Sequence, residues 1–315
     1  MPPPRLPLVL AVGGAVLVGV LTALQARANG QLGASIGDGM VAAFISFASG
    51  LVLLIVLSLL LPEGRRGYRR LVEGLRERAI PGWMLLGGAA GALTTATQGL
   101  AVGIIGVSLF TVGVVAGQTV SGLVLDRAGY GPAGVVAVTV PRLVGALLAI
   151  CAVAFALGGD TLATVPLWML VLPLLAGAGI AWQQATNGRL RVRVGSPLTA
   201  TLVNFIGGTA ILAVASGVSV AISGLPTRLP SDPLLYLGGA AGVVYIVLSA
   251  AIVGYTGVLL LGLGAVVGQL ATSVLVDALW PAVGTPDTLQ AIAMVTLALS
   301  SVIVASLPWR RMLRG

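Results

Sequence analysis

Apolar runs of about 20 residues follow one another along the chain, separated by short polar turns, and this is the pattern of membrane-spanning helices. A hydropathy window of about 19 residues predicts five spans in the first half, at 6–26, 40–61, 81–103, 104–125 and 141–157. Five more follow in the second half, at 166–183, 198–222, 234–254, 255–276 and 289–307. The third and fourth spans are separated only by a turn around Gly103 to Gly106. The apolar stretch Ala133 to Val140 fits either an extension of the fifth helix or a segment lying along the interface before Arg142. The expected fold is an all-α membrane protein of ten transmembrane helices.

Composition excludes a soluble domain. Of the 315 residues, 57% are apolar and 8% charged, with a mean hydropathy of +1.08, whereas soluble domains carry roughly 25% charge. There is no His, which removes His-ligated metals and every catalytic triad with a His base. All 17 basic residues are Arg, so a Walker lysine and a Schiff base are absent as well. No cofactor or metal is expected. The single Cys151 lies in an apolar run and reads as a structural thiol. Gly33-Ala34-Ser35-Ile36-Gly37 matches a nucleophile-elbow pattern, but that chemistry needs the missing His.

The formal charge of +8 is explained by topology. With both termini in the cytoplasm, Arg5, the six arginines from Arg65 to Arg78, Arg127, Arg142, Arg189, Arg191, Arg193, Arg310, Arg311 and Arg314 face inward, and only Arg27 and Arg228 face outward. That is a strong positive-inside bias, and no nucleic acid is needed to account for it. The segment Glu63 to Arg78 mixes three Glu with its six Arg and reads as a short amphipathic cytoplasmic connector. Ala26-Arg27-Ala28 imitates a signal-peptidase site, but the same stretch has a partner in mid-chain that no signal peptidase would process.

That partner belongs to an internal repeat. Gln25–Gly50 aligns without gaps on Gln183–Gly208, pairing Gln25 with Gln183, Asn29 with Asn187, Gly37 with Gly195 and Phe47 with Phe205. Ile104–Asp126 aligns on Tyr255–Asp277, matching Gly106 with Gly257, Gly113 with Gly264, Gly117 with Gly268, Gln118 with Gln269 and Asp126 with Asp277. Between the blocks, Leu86-Gly87-Gly88-Ala89-Ala90-Gly91 recurs unchanged at Leu237 to Gly242. Five spans is an odd number, so the copies, residues 1–158 and 159–315, are expected to be inverted. Inverted repeats are the usual construction of secondary transporters working by alternating access.

The five-plus-five arrangement, the Q-x-x-x-N-G motif after the first and sixth spans, and the G-x-x-x-G-Q…D pattern of the fourth and ninth resemble the drug/metabolite transporter superfamily, in its YdcZ-like branch of bacterial inner-membrane proteins. The resemblance covers almost the whole chain. It implies a ten-helix fold with a central cavity, cytoplasmic termini in the bacterial inner membrane, and export or uptake of a small molecule. It names no substrate. Small multidrug members of that superfamily carry a Glu in the first helix for proton coupling, and the first span here has no acid.

Several residues are candidates for the transport path. Gln25 and Asn29 share a helix face, as do Gln183 and Asn187; they suit gates, or else solvated span ends, caps before Gly30 and Gly188, or amides that bond between helices. Gln118 and Gln269 fall within spans and must find either interhelical partners or substrate. Gln98, Asn204 and Tyr245 are similar candidates, and Trp182 reads as an interfacial aromatic or a cavity wall. Gly113, Gly117, Gly264 and Gly268 form small faces for close helix packing. Asp126 and Asp277 end paired helices, where interfacial solvation competes with ion coupling. The expected partners are a small polar or drug-like solute and membrane lipid, with homodimerisation left open. A non-transporting scaffold or an embedded enzyme is the alternative function. Single cysteines introduced by Arg70→Cys and Arg314→Cys in a Cys151→Ser background are expected to resist an impermeant thiol reagent in intact cells, whereas Asp160→Cys and Asp287→Cys are expected to react; labelling at position 70 from outside would overturn the orientation.

Overall fold

The computed structural model describes residues 8–156, 167–226, 228–279, 288–305 and 307. Every regular element among them is helical. The α-helices are α1 (Leu8–Ile36), α2 (Gly39–Leu60), α3 (Pro62–Arg76), α4 (Gly87–Thr97), α5 (Gly103–Arg127), α6 (Val140–Ala156), α7 (Leu167–Val194), α8 (Pro197–Ser223), α9 (Gly238–Leu279) and α10 (Thr288–Ala305). Among the described residues each expected span overlaps helix, but the partition differs from ten separate spans. One of the ten helices, α3, is the amphipathic connector, its buried edge made by Gly64, Gly67 and Leu71. The expected eighth and ninth spans form the single long helix α9, broken at Gly257 (φ 74°, ψ 173°). The expected third and fourth join without a turn at 103–106, through a π-helical segment at Gln98–Val102.

By length and apolar composition, four stretches among the described residues are clear membrane-span candidates: Leu8–Ile36, Gly39–Leu60, Pro197–Ser223 and Pro233–Val276. The last holds 44 residues, about twice what one crossing requires. The stretch 133–140 is not an extension of the fifth span, because residues 128–139 are turn, bend and irregular chain and α6 begins at Val140. Val136 N–H donates to the Asp126 carbonyl at 2.9 Å, which folds this loop back on the end of α5. The expected boundary between repeats at 158/159 lies outside the described residues.

Both α1 and α7 run well past their expected ends at 26 and 183. Window hydropathy falls at Arg27 and Arg189, but backbone hydrogen bonding does not require apolar side chains, so the helices continue to Gly37 and Gly195. There the chain enters the left-handed region, φ 73° and 68°, which glycine adopts without the Cβ penalty. An N-cap follows each: Asp38 accepts from the Met40 and Val41 amides, and Ser196 accepts from Thr199. Asp38 also accepts a 2.7 Å hydrogen bond from Ser219 of α8, tying the two helices at one end of the bundle. At the opposite end arginines gather: Arg70 reaches Gly195, Arg189 donates to the Gly129 carbonyl at 2.7 Å, and Arg191 lies over the Tyr255 ring.

The closest helix contacts are made through glycine and occur in matched pairs. A Cβ on Gly19 of α1 would strike the Ala265 carbonyl of α9, and one on Gly177 of α7 would strike the Val114 carbonyl of α5. Likewise Gly268 abuts the Val16 carbonyl and Gly117 the Leu174 carbonyl, while Gly264 meets the Ala15 methyl. The four carbonyl contacts use residues that the repeat alignment, extended upstream in the same register, places in equivalent positions. Replacing Gly268 by Ala is expected to lower stability in detergent by about 1–3 kcal/mol, because backbone must move to admit the methyl. Gly13, with open space around it, is expected to tolerate Ala within about 0.5 kcal/mol; thermal unfolding of the two variants makes the comparison.

Candidate functional site

Buried amides form two clusters in the middle of the protein. In the first, Asn29 Nδ2 donates to Gln98 Oε1 at 2.8 Å. The π-helical segment carries Gln98, and such insertions re-aim a side chain that a regular α-helix would direct elsewhere. Gln25 lies one turn from Asn29, and glycines of α9 leave room for both amides: a Cβ on Gly242 would meet Gln25, and one on Gly238 would meet Asn29 and Ser46. In the second cluster, Gln183 Nε2 and Asn187 Nδ2 both donate to Asn204 Oδ1, at 3.0 and 3.2 Å. Gly91 and Gly87 of α4 lie against these amides in the equivalent way.

None of Gln25, Asn29, Gln183 and Asn187 sits at a helix end. All four lie within α1 or α7 and are buried, so the reading as solvated ends or as caps before Gly30 and Gly188 is corrected. Between the clusters, Phe47 stacks on Phe205 with ring centroids 4.7 Å apart. Each ring presses against a glycine of the other's helix, Phe47 on Gly208 and Phe205 on Gly50. The repeat pairs these two phenylalanines with each other, and that pairing is the sequence signal that marks the stack.

Gln118 and Gln269 are 1% and 2% exposed. Neither atom of the Gln118 amide has a hydrogen-bond partner, and Gln269 Oε1 has none. Gln184, which the sequence reading missed, is buried with both amide atoms unpartnered. Buried amides without partners carry a desolvation cost of about 1–3 kcal/mol each. Gln98 Nε2, Asn204 Nδ2, Gln25 Oε1 and Asn29 Oδ1 also retain unused capacity. Trp182 is half-buried, and its indole N–H donates to the Tyr130 hydroxyl at 3.0 Å. Tyr130 in turn packs on Trp83, with the Arg189 guanidinium over both rings. Tyr245 is buried in the apolar cluster around Phe47, Phe205 and Ile246.

Asp126 is not solvated at the interface. Its side chain is 2% exposed and pairs with Arg142 at 3.1 Å, rather than with the adjacent Arg127. Its two oxygens also accept the Val258 and Leu259 amides, at 2.7 and 3.1 Å. These are the first free donors after the break at Gly257, so Asp126 caps the second part of α9 from another helix and meets the positive end of its dipole. Gly257 is required there, since a Cβ would run into the Asp126 carboxylate and φ is positive. The Asp277 side chain lies outside the described residues. Among the described residues no cluster of His, Cys, Asp or Glu could hold a metal ion.

The chain matches the family model described as "Putative inner membrane exporter, YdcZ" over residues 10–155 and 168–304. It therefore belongs to the YdcZ family of the drug/metabolite transporter type. That description is of an inner-membrane exporter and names no enzymatic activity. No curated protein matches the chain.

Asp126→Ala is expected to cost about 3–5 kcal/mol of stability, because it strands the Arg142 charge and two helix-end amides. Adding Arg142→Met to that variant is expected to recover part of the loss. A double-mutant cycle on thermal unfolding in detergent measures it, and strictly additive losses would mean the pair is uncoupled.

Proposed function

We propose that this chain is a secondary exporter that moves a small polar or drug-like molecule across the inner membrane by alternating access. The observation that carries this is the set of buried amides arranged in two matched clusters about the Phe47–Phe205 stack. Glycine contacts between equivalent residues, and a ring stacked on its own repeat partner, support two five-helix repeats of opposite orientation related by an axis passing near the phenylalanines. In this reading Gln25 and Asn29 gate one side and Gln183 and Asn187 the other. The phenylalanine stack closes the path between them.

Unused amide donors and acceptors at Gln118, Gln269 and Gln184 suit a polar solute that hydrogen-bonds in both directions. Asp126 is less suited to carry a coupling proton, since its carboxylate is held by Arg142 and two amides. We read it as the tie that keeps α9 broken, with cytoplasmic termini following from the arginine distribution.

Proteoliposomes test this: saturable efflux accelerated by the same solute on the opposite side is the expected result from a screen of small polar solutes, and its absence across the screen would count against transport. Gln118→Leu is expected to suppress that flux at least tenfold while leaving melting temperature unchanged or raised, because an unsatisfied buried amide is removed. Undiminished flux would take Gln118 out of the path. Asp126→Asn is expected to preserve the pH response of transport, and loss of that response with substrate exchange intact would make Asp126 a coupling group instead.

A further inference from the structure

A groove at the arginine-rich end lies outside the transport path. It opens where α3 leaves the end of α2 and runs beside α8, with a cavity volume of about 560 Å³. One wall is hydrocarbon: Ile55, Leu59 and Ile206 line it while remaining 43%, 64% and 51% exposed. The facing wall is α3, which presents Arg65 and Arg69 one helical turn apart with Tyr68 between them. Arg65 is held in place because its Nη1 donates to the Leu59 and Leu60 carbonyls, at 2.8 and 3.3 Å. Neither arginine is paired with a carboxylate among the described residues. At the inner edge Ser58 is buried, and its hydroxyl has no partner.

We propose that this groove is a binding site for one anionic phospholipid. Its phosphate is held by Arg65 and Arg69 with the Ser58 hydroxyl beside it, and an acyl chain lies along Ile55, Leu59 and Ile206. Charge complementarity selects the occupant. Two guanidinium groups without carboxylate partners call for an anion, and the exposed aliphatic wall beside them calls for hydrocarbon on the same molecule. A soluble anion satisfies only the first wall, and a zwitterionic lipid brings a cation toward the arginines. Tyr68, 55% exposed, stands where aromatic residues mark the membrane–water boundary. The seating of α3 shapes the groove: Gly64 allows contact with Ser58, and Gly67 allows contact with Ser196 and Thr199. Past α8, the described residues of 224–232 form no helix in the place that α3 takes after α2. A lipid here would clamp α3 to α2 and α8.

The inference rests on membrane embedding and not on transport, so its failure is separable from that of the export reading. The purified, delipidated protein is titrated with phosphatidylglycerol, phosphatidylcholine or glycerol 3-phosphate, followed by native mass spectrometry and thermal unfolding. Phosphatidylglycerol is expected to bind at one high-affinity copy per chain and to raise the melting temperature, with the other two probes giving neither effect. Arg65→Gln with Arg69→Gln is expected to weaken that binding about tenfold or more, the loss of charge-assisted hydrogen bonds. Ile206→Trp fills the groove from an exposed position and is expected to abolish binding even if the arginine variant folds poorly. Equal retention of phosphatidylcholine, the same stabilisation by glycerol 3-phosphate alone, or wild-type affinity in the Ile206→Trp protein would overturn the proposal.

Discussion

Close approach of backbone to backbone is the constraint on which the rest of this structure depends. Lipid is as apolar as the side chains it meets, so helices inside a bilayer gain little from hydrophobic association and must be held by dispersion contacts and hydrogen bonds. Here Gly19, Gly117, Gly177 and Gly268 allow helices of one half to lie directly on carbonyls of the other. In water a glycine within a helix costs about 1 kcal/mol relative to alanine. In this protein the absent Cβ is what lets α1 reach α9 and α7 reach α5.

Close approach also explains where polar groups can be buried. The amides of Gln25, Asn29, Gln183 and Asn187 occupy space that Cβ atoms on Gly242, Gly238, Gly91 and Gly87 would fill. The two clusters are alike in plan but not in partner. Asn29 is met by Gln98 from a π-helical segment, whereas Gln183 and Asn187 are met by Asn204 from α8. At the positions equivalent to Gln98 and Asn204 stand Ser249 and Ser46, whose short side chains cannot make the same bridge. The repeat therefore preserves the packing of the halves while the hydrogen bonding of the two clusters differs.

The break in α9 follows the same economy of buried groups. A helix interrupted inside a protein exposes amide donors that must be satisfied, and a carboxylate placed against them must itself be neutralised. Asp126 does the first and Arg142 the second. Gly106, aligned with Gly257, stays within unbroken helix, so the two halves differ here as well.

Hydropathy by itself determined that the chain is helical and lies in a membrane, because spans of about 20 apolar residues have no other stable state in lipid. The repeat was legible as well, in recurring Gln, Asn, Gly and Asp, and it pointed to the amides that line the two clusters. Helix ends were not legible. Windows measure side-chain transfer, whereas α1 continues through Arg27 and Asn29 to the left-handed Gly37 because its backbone bonding is uninterrupted. The stacking of Phe47 on Phe205, the partner of Asp126 and the orphaned amides of Gln184 were decided only by tertiary structure. Each depends on which residues of distant helices meet face to face, and that is set by three-dimensional packing at glycine contacts rather than by any periodicity along the chain.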